Sequence, residues 1–419
     1  MNPTALSVLA PAMPSMGTPQ WDSATWVGLV DLPIEPAERI ELESAGGYRR
    51  ARMLVRAVGR PVAMVELDVV DGAISGPDLA ASVREWNAAA GTGADSDDGE
   101  RPAITVIICT RNRLDSLRVA VRSVLDCDYP RVDIVVVDNA SDDDSASRYI
   151  ADLNDPRVTL VREPLPGLAG ARNTGIRAAG GDLIAFTDDD VVVDPQWLRW
   201  IADAFGADER VGCVTGIVPS GELRTPTQSF FEQRVSWAKS LQRRAFDVTR
   251  PPANSPLFPF QVGLYGTGAN FALRRRMVLD MGGFDEALGA GSPTGGGEDI
   301  DMFVRVLVSG RQLVYEPAAI VWHRHRDDVA ALQSQARGYG QGLGAWLAKV
   351  ALDRTLRPIA LRRTVKALRH LRTITESPDV DDFAPPESLR RTQLIGIVRG
   401  PVALATARRQ GRRPTPLAS

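Results

Sequence analysis

Asp188, Asp189 and Asp190 stand just past the apolar run Leu183 to Phe186. Such a run reads as an interior strand, and carboxylates crowded at its carboxyl end repel one another unless a cation neutralises them. Asp188 and Asp190 are separated by one residue. Their side chains can therefore converge on a hard divalent ion, Mg2+ or Mn2+, which prefers oxygen ligands and commonly carries phosphates. The ordinary alternative is a solvated acidic turn or helix N-cap ahead of Asp194-Pro195, and the triplet alone favours it.

The segments that must position the triplet shift this balance. Ala103 to Cys109 is a short apolar run bounded by Pro102 and the polar Thr110-Arg-Asn-Arg113, as expected of a central parallel strand entering a loop. Leu114, Leu117, Val121, Val124 and Leu125 then recur at helical spacing, and Val132 to Val137 gives a second strand ending in Asp138-Asn139. Strand, helix, strand implies parallel pairing. Open sheets of this kind bind ligands at the carboxyl ends of their strands, here Thr110-Arg111, Asp138-Asn139 and Asp188 to Asp190.

With these strings in hand the chain resembles the inverting glycosyltransferases of family 2, close to the rhamnosyl- and galactofuranosyl-type transferases. The matching residues are Cys-Thr-Arg-Asn-Arg113, Val-Asp-Asn-Ala-Ser-Asp142, Gly167-Leu-Ala-Gly-Ala-Arg-Asn-Thr-Gly175, Gly266-Thr-Gly-Ala-Asn-Phe271, Gly282-Gly-Phe-Asp-Glu286 and Gly297-Glu-Asp-Ile-Asp301. Each is weak alone; their order is specific. The resemblance covers about Arg101 to Arg326. It implies an α/β GT-A fold, with a Rossmann-like, mostly parallel sheet, and transfer of a sugar from a nucleotide-diphosphate donor to a glycan or lipid-linked acceptor. It also implies site roles. Asp188 and Asp190 would hold Mn2+ or Mg2+, Asp189 would touch the ribose or orient its neighbours, Thr110, Arg111 and Asp138 would line the nucleoside pocket, and Arg172 would sit near donor groups. Some relatives complete the metal shell with a histidine about two dozen residues beyond the catalytic aspartate, a place that His323 matches better than His325. For Arg111 and Arg172 the competing reading is a salt bridge to nearby carboxylates.

An inverting displacement needs a base opposite the leaving group, and Asp299, in Gly295-Gly-Gly-Glu-Asp299, fits that role, with Glu298 as a helper in acceptor binding. The competing reading is that both cap the helix marked by Ile300, Met302, Phe303, Val306 and Leu307. No Gln-x-x-Arg-Trp string is present, which disfavours a processive polymer synthase. A sugar nucleotidyltransferase and a non-catalytic glycan- or nucleotide-binding relative are the alternatives.

The remaining sequence frames this centre. A chain of 419 residues with 44% hydrophobic content exceeds one catalytic domain, so we expect an accessory module over 1–100, a catalytic domain over 101–326 and an Arg-rich helical region over 327–419. In the first, Ala51, Met53, Val55 and Ala57 alternate with arginines, Gly59-Arg-Pro61 turns the chain, and Ala63, Val65, Leu67 and Val69 return it; a helix opens at Ser75-Gly-Pro77 and a polar linker follows at 91–99. In the last, Arg362, Arg363, Lys366 and Arg369 interleave with apolar residues, and Arg408, Arg409, Arg412 and Arg413 follow. A solvated basic face and peripheral contact with an anionic membrane compete as explanations; nucleic acid is disfavoured because no recognised module accompanies the charges. Leu394 to Val398 is interrupted by Arg399-Gly-Pro401, and no run spans a bilayer. Cys109, Cys127 and Cys213 form neither metal spacing nor a disulfide framework, which points to the cytoplasm.

Overall fold

The computed structural model describes residues 4–89, 101–235, 237–238, 240–253, 255–261, 263–370 and 388–412. The linker at 91–99, Leu371 and Arg413 lie outside the described residues, as do the side chains of 364–370.

The amino-terminal module comprises β1 (Thr4–Leu9), β2 (Thr25–Leu32), β3 (Ile34–Leu42), β4 (Arg50–Ala57), β5 (Arg60–Asp68), β6 (Ala73–Ser75) and α1 (Gly76–Ala89). Strands β4 and β5 pair antiparallel, and β2-β4-β5 and β1-β3-β6 form two small sheets. Met53 and Val55 join Trp26, Ile40 and Leu79 in the module's core, while Leu54, on the other face of β4, packs into the core of the larger sheet. That second face explains Arg56. The alternating pattern puts Arg56 on the polar side of the strand, yet it is buried and paired with Asp31 and Asp194, each at 2.6 Å. The polar side is the docking side.

The larger sheet is built from β7 (Ile104–Thr110), α2 (Leu114–Leu125), β8 (Val132–Asn139), α3 (Ser145–Leu153), β9 (Val158–Glu163), α4 (Leu168–Ala178), β10 (Leu183–Thr187), β11 (Val191–Val193), α5 (Trp197–Gly206), β12 (Val211–Ile217), α6 (Pro226–Arg234), β13 (Arg244–Phe246), β14 (Asn270–Arg274), α7 (Arg275–Asp280), α8 (Glu298–Val308) and β15 (Gln312–His323). The strand order is β11-β15-β12-β14-β10-β7-β8-β9, with β13 on β15. Strands β10, β7, β8 and β9 are mutually parallel, as are β12 and β15, and β14 runs antiparallel between the two groups. Apolar residues of β7 enter cores on both faces, Ile104, Val106 and Ile108 on one and Ile107 on the other, so the strand reads as a continuous hydrophobic run. The two short runs around Glu316-Pro317 are one strand, β15, and the proline falls where its register with β12 shifts, between Tyr315 and Ile320.

Three helices follow: α9 (Val329–Leu352), α10 (Leu356–His370) and α11 (Ser388–Arg409). Helix α11 continues through the interruption at Arg399-Gly-Pro401. Proline frees the carbonyl four residues earlier, that of Ile397. This carbonyl lies against Gly344 of α9, where an added Cβ would stand 2.0 Å from it. On its other side α9 meets the turn before α8, since a Cβ on Gly342 would stand 2.5 Å from the backbone of Gly296. Glycine is thus what lets α9 fit between α11 and the turn. Among the described residues no helix is long and apolar enough to cross a membrane.

Candidate active site

The register of β10 with β7, in which Thr187 opposes Ile108, brings Asp188 to Asp190 beside the loop that starts at Thr110. The chain then turns into β11, whose Val191 opposes His323 at the end of β15. This pairing closes a gap of over 130 residues in sequence to bring Asp190 Oδ1 within 3.2 Å of His323 Nε2; Asp188 Oδ2 lies 4.0 Å from the same nitrogen. Ligand atoms of Asp188, Asp190 and His323 all lie within 4.8 Å of one another. An octahedral ion that holds its ligands at about 2.1 Å spaces them about 3 to 4 Å apart, so small side-chain adjustments suffice for this donor set to grip Mn2+ or Mg2+.

Cations surround the triplet on the protein side. Arg113 Nη1 reaches Asp189 at 3.1 Å and Asp190 at 3.0 Å, and Arg326 approaches Asp190 at 3.7 Å. Asp189 turns away from His323: its Oδ2 accepts the Thr110 hydroxyl at 2.8 Å. Burial and the neighbouring Asp190 push the Asp189 carboxyl up to about 6, and burial with Asp190 also raises Asp188. Burial alone would raise Asp190 too, but His323, Arg113 and Arg326 outweigh it and hold that carboxyl well below the usual range. The same partnership raises His323 against the downward pull of its burial.

Arg172 joins this centre to the turn before α8. Its guanidinium is buried, lies 3.8 Å from Asp188 and 3.0 Å from Glu298, and donates to the Gly268 carbonyl at 2.9 Å. Phe186, Phe271 and Phe284 enclose it, with centroids 5.3 to 5.9 Å away. Asp299 is next to it. Its Oδ2 accepts the Gly268 N–H at 2.9 Å and its Oδ1 accepts the Ile300 N–H at 2.8 Å. A Cβ on Gly268 would stand 3.1 Å from both the Arg172 and the Asp299 side chains, so the small residue keeps this crossing tight.

The structure thus gathers Thr110, Arg172, Asp188, Asp189, Asp190, Glu298, Asp299 and His323. It places Asp138, buried, at the neighbouring strand end, where it accepts the Ser141 N–H at 3.1 Å and pairs with Arg162 at 3.3 Å. Arg111 is exposed, and Arg113, two residues on, bonds the carboxylates instead. Glu298 is buried and engaged by Arg172, whose guanidinium it holds at 3.0 Å. The capping reading has only local support, since α8 has no side-chain cap bond at its first position. Burial pushes the Cys109 thiol up to about 12, so it packs and does not attack. Sequence reasoning missed Arg113, Arg326 and Glu232, whose Oε2 lies 3.1 Å from His325 Nε2. Arg113 stood in a quoted string, whereas Glu232 has no local signal.

Residues 105–278 match the family described as Glycosyl transferase family 2. That match spans the sheet from β7 to α7 and so takes in the Asp188–Asp190 segment. The pre-mycofactocin glycosyltransferase of Mycobacterium tuberculosis is 31% identical over 253 residues, 60% of this chain and 49% of that protein. The glucosyl-dolichyl phosphate glucuronosyltransferase of Haloferax volcanii is 24% identical over 228 residues, 53% of this chain and 69% of that protein. The chain spans about half the length of the first of these relatives. A mannosyltransferase from Pyrobaculum calidifontis, solved in complex with GDP-Man and Mn2+, aligns over 76% of this chain and 90% of its own at 22% identity and a TM-score of 0.46.

Glu298 gives the site a pH signature. Burial, with Asp299 next in weight, pushes its carboxyl up to about 7, above its ordinary value of 4.5. Between those values the folded protein keeps a proton that the unfolded chain has lost, so stability falls as pH rises through this window and the loss is complete above about 7. Glu298→Gln keeps an oxygen for Arg172 and removes the titration. Relative to wild type, its unfolding free energy should rise by about 1–3 kcal/mol from pH 5 to pH 8. Denaturant unfolding at both pH values checks this, and parallel behaviour of the two proteins would contradict it.

Proposed function

We propose that the protein transfers a sugar from a nucleotide-diphosphate sugar to a hydroxyl of a glycan or lipid-linked acceptor, with inversion at the anomeric carbon. The convergence of Asp188, Asp190 and His323 next to Asp299 carries this reading. A divalent ion held by the three would neutralise charge developing on the leaving diphosphate. Thr110 and Arg113 hold Asp189 in place, and Asp138, near the end of the neighbouring strand, would line the nucleoside pocket. Asp299 is the base: two backbone N–H groups orient its carboxylate and leave lone pairs for the proton of an attacking hydroxyl. Arg172 fixes the spacing between donor side and base. A non-catalytic nucleotide-binding relative would have no need of an oriented base beside a metal-binding triad.

Asp190→Asn should weaken Mn2+-supported binding of nucleoside diphosphate by about 10-fold or more, the scale of losing one metal-shell interaction. Asp299→Asn should keep that binding and lower turnover by roughly 100-fold or more. Calorimetric titration, a panel of nucleotide-sugar donors with and without Mn2+, and proton NMR of the product linkage read these outcomes. Retention of configuration, or near-normal turnover in Asp299→Asn, would refute the mechanism.

We also place the acceptor at a membrane, with the carboxyl-terminal helices contacting its anionic, cytoplasmic face. Lys349 and Arg408 are consumed internally, the first by Asp301 at 2.7 Å and Asp285 at 2.9 Å, the second by Asp285 at 2.7 Å. The outer surface is different. Leu394, Val398 and Val402 recur four residues apart on α11 at 63%, 78% and 69% exposure, and Arg391, Arg399 and Arg409 are exposed around them. An apolar row bordered by arginine suits an interfacial helix on an anionic bilayer. The full chain should float with phosphatidylglycerol vesicles, less with phosphatidylcholine and less at high salt, and Val398→Glu with Val402→Glu should abolish flotation. Equal flotation of wild type and double variant would sink the membrane assignment.

A further inference from the structure

His325 has no part in the triad, yet it is as buried as a core residue. Its ring lies against that of His323, with the two Nδ1 atoms 3.3 Å apart, and its Nε2 lies 3.1 Å from Glu232 Oε2 on α6. Trp237 packs edge-on or tilted against both imidazoles, at 5.9 and 5.8 Å, and Phe231 stands 4.6 Å from His325. These rings shield the pair from solvent, so the histidines must satisfy each other.

Hydrogen-bond chemistry sets the direction of this chain. An ionised carboxylate accepts only, so the nitrogen facing Glu232 must carry a proton. A neutral imidazole has one N–H, which leaves His325 Nδ1 as an acceptor. His323 Nδ1 must then donate to it. With a divalent ion in place of the direct 3.2 Å contact to Asp190, the remaining nitrogen, His323 Nε2, offers its lone pair, and it is the one that faces Asp190 and Asp188. Two neutral rings supply two protons for two contacts, and the third position is left for a cation.

We infer that Glu232 and His325 form a hydrogen-bonded chain that locks His323 in its Nδ1–H tautomer and so presents Nε2 to the divalent ion. Both are positioning residues: they act through His323 and touch neither donor nor acceptor. The inference rests on the metal role given to Asp188, Asp190 and His323. Such outer partners of a metal-bound histidine fix its ring and raise its basicity, and their loss commonly weakens metal binding by about 10–100-fold.

Three histidines in the whole chain make the tautomers readable. In full-length protein labelled with 15N-histidine and loaded with Zn2+ as a diamagnetic ion, long-range 1H–15N correlations should show Nδ1–H on His323 and Nε2–H on His325. Glu232→Gln preserves shape, but its amide can accept or donate, so the direction is no longer imposed. This variant should keep its thermal unfolding midpoint, show mixed tautomers, and bind Mn2+ about 10-fold more weakly by titration followed with electron paramagnetic resonance. His325→Gln provides a second variant at the middle of the chain, with the same expected direction. Wild-type tautomers opposite to these, or unchanged Mn2+ affinity and tautomers in Glu232→Gln, would overturn the inference while leaving the metal site standing. Absence of Mn2+ binding to wild type would instead remove the metal reading, and this inference with it.

Discussion

The crowding of negative charge at the carboxyl end of β10 is the constraint on which the rest of the site depends. Asp188, Asp189 and Asp190 are joined there by Glu298 and Asp299, and most of these carboxylates are removed from water. Arg113, Arg172, Arg326 and His323 are the compensating groups. Arg172 has the central place, because one guanidinium serves both Asp188 and Glu298. Removing one partner of such a buried set leaves an uncompensated charge and costs about 3–5 kcal/mol, whereas the intact set holds two functional groups at a fixed separation. The ligand atoms of Asp188, Asp190 and His323 lie within 4.8 Å of one another, a spacing that suits a cation of higher charge.

The appended parts brace this arrangement from two sides. From the amino-terminal module, Arg56 grips Asp194, shortly after the triplet, and Arg60 pairs with Glu316 of β15 at 3.0 Å. Both contacts steady the β11–β15 pairing that brings His323 to Asp190. From the other side, α9 lays Gly338 and Gly342 against Gly295 and Gly296, and Lys349 bonds Asp301 in the first turn of α8. The turn that carries Asp299 is therefore clamped between the catalytic sheet and a helix that is itself held by α11. The same helices offer an apolar, arginine-bordered outer surface, so one element both supports the site and faces outward.

What the sequence disclosed followed from how locally each feature is encoded. The apolar strand before Asp188, the parallel strand-helix-strand unit and the glycine turn before Asp299 are contiguous, and each was readable. So was the antiparallel pair β4 and β5. The polar positions were harder, because a charged residue in an alternating strand looks the same whether its face meets water or another domain; Arg56 was assigned by pattern and buried by docking. The Arg172–Glu298 bond has no local signal, because the two residues stand 126 positions apart. Glu232 lies 93 positions from His325, and only the fold joins them. Pro401 was a fair local signal of interruption, overridden by the close packing of α11 on α9.

A divalent cation seated between Asp188, Asp190 and His323 would relieve the carboxylate crowding. Anomalous scattering at the manganese edge from crystals grown with Mn2+ and a nucleoside diphosphate tests it most directly. One strong peak is expected about 2.0–2.3 Å from a carboxylate oxygen of Asp188, one of Asp190 and Nε2 of His323, with the diphosphate completing the shell. A peak held by other residues, or an occupied nucleotide site with no manganese at this triad, would contradict it.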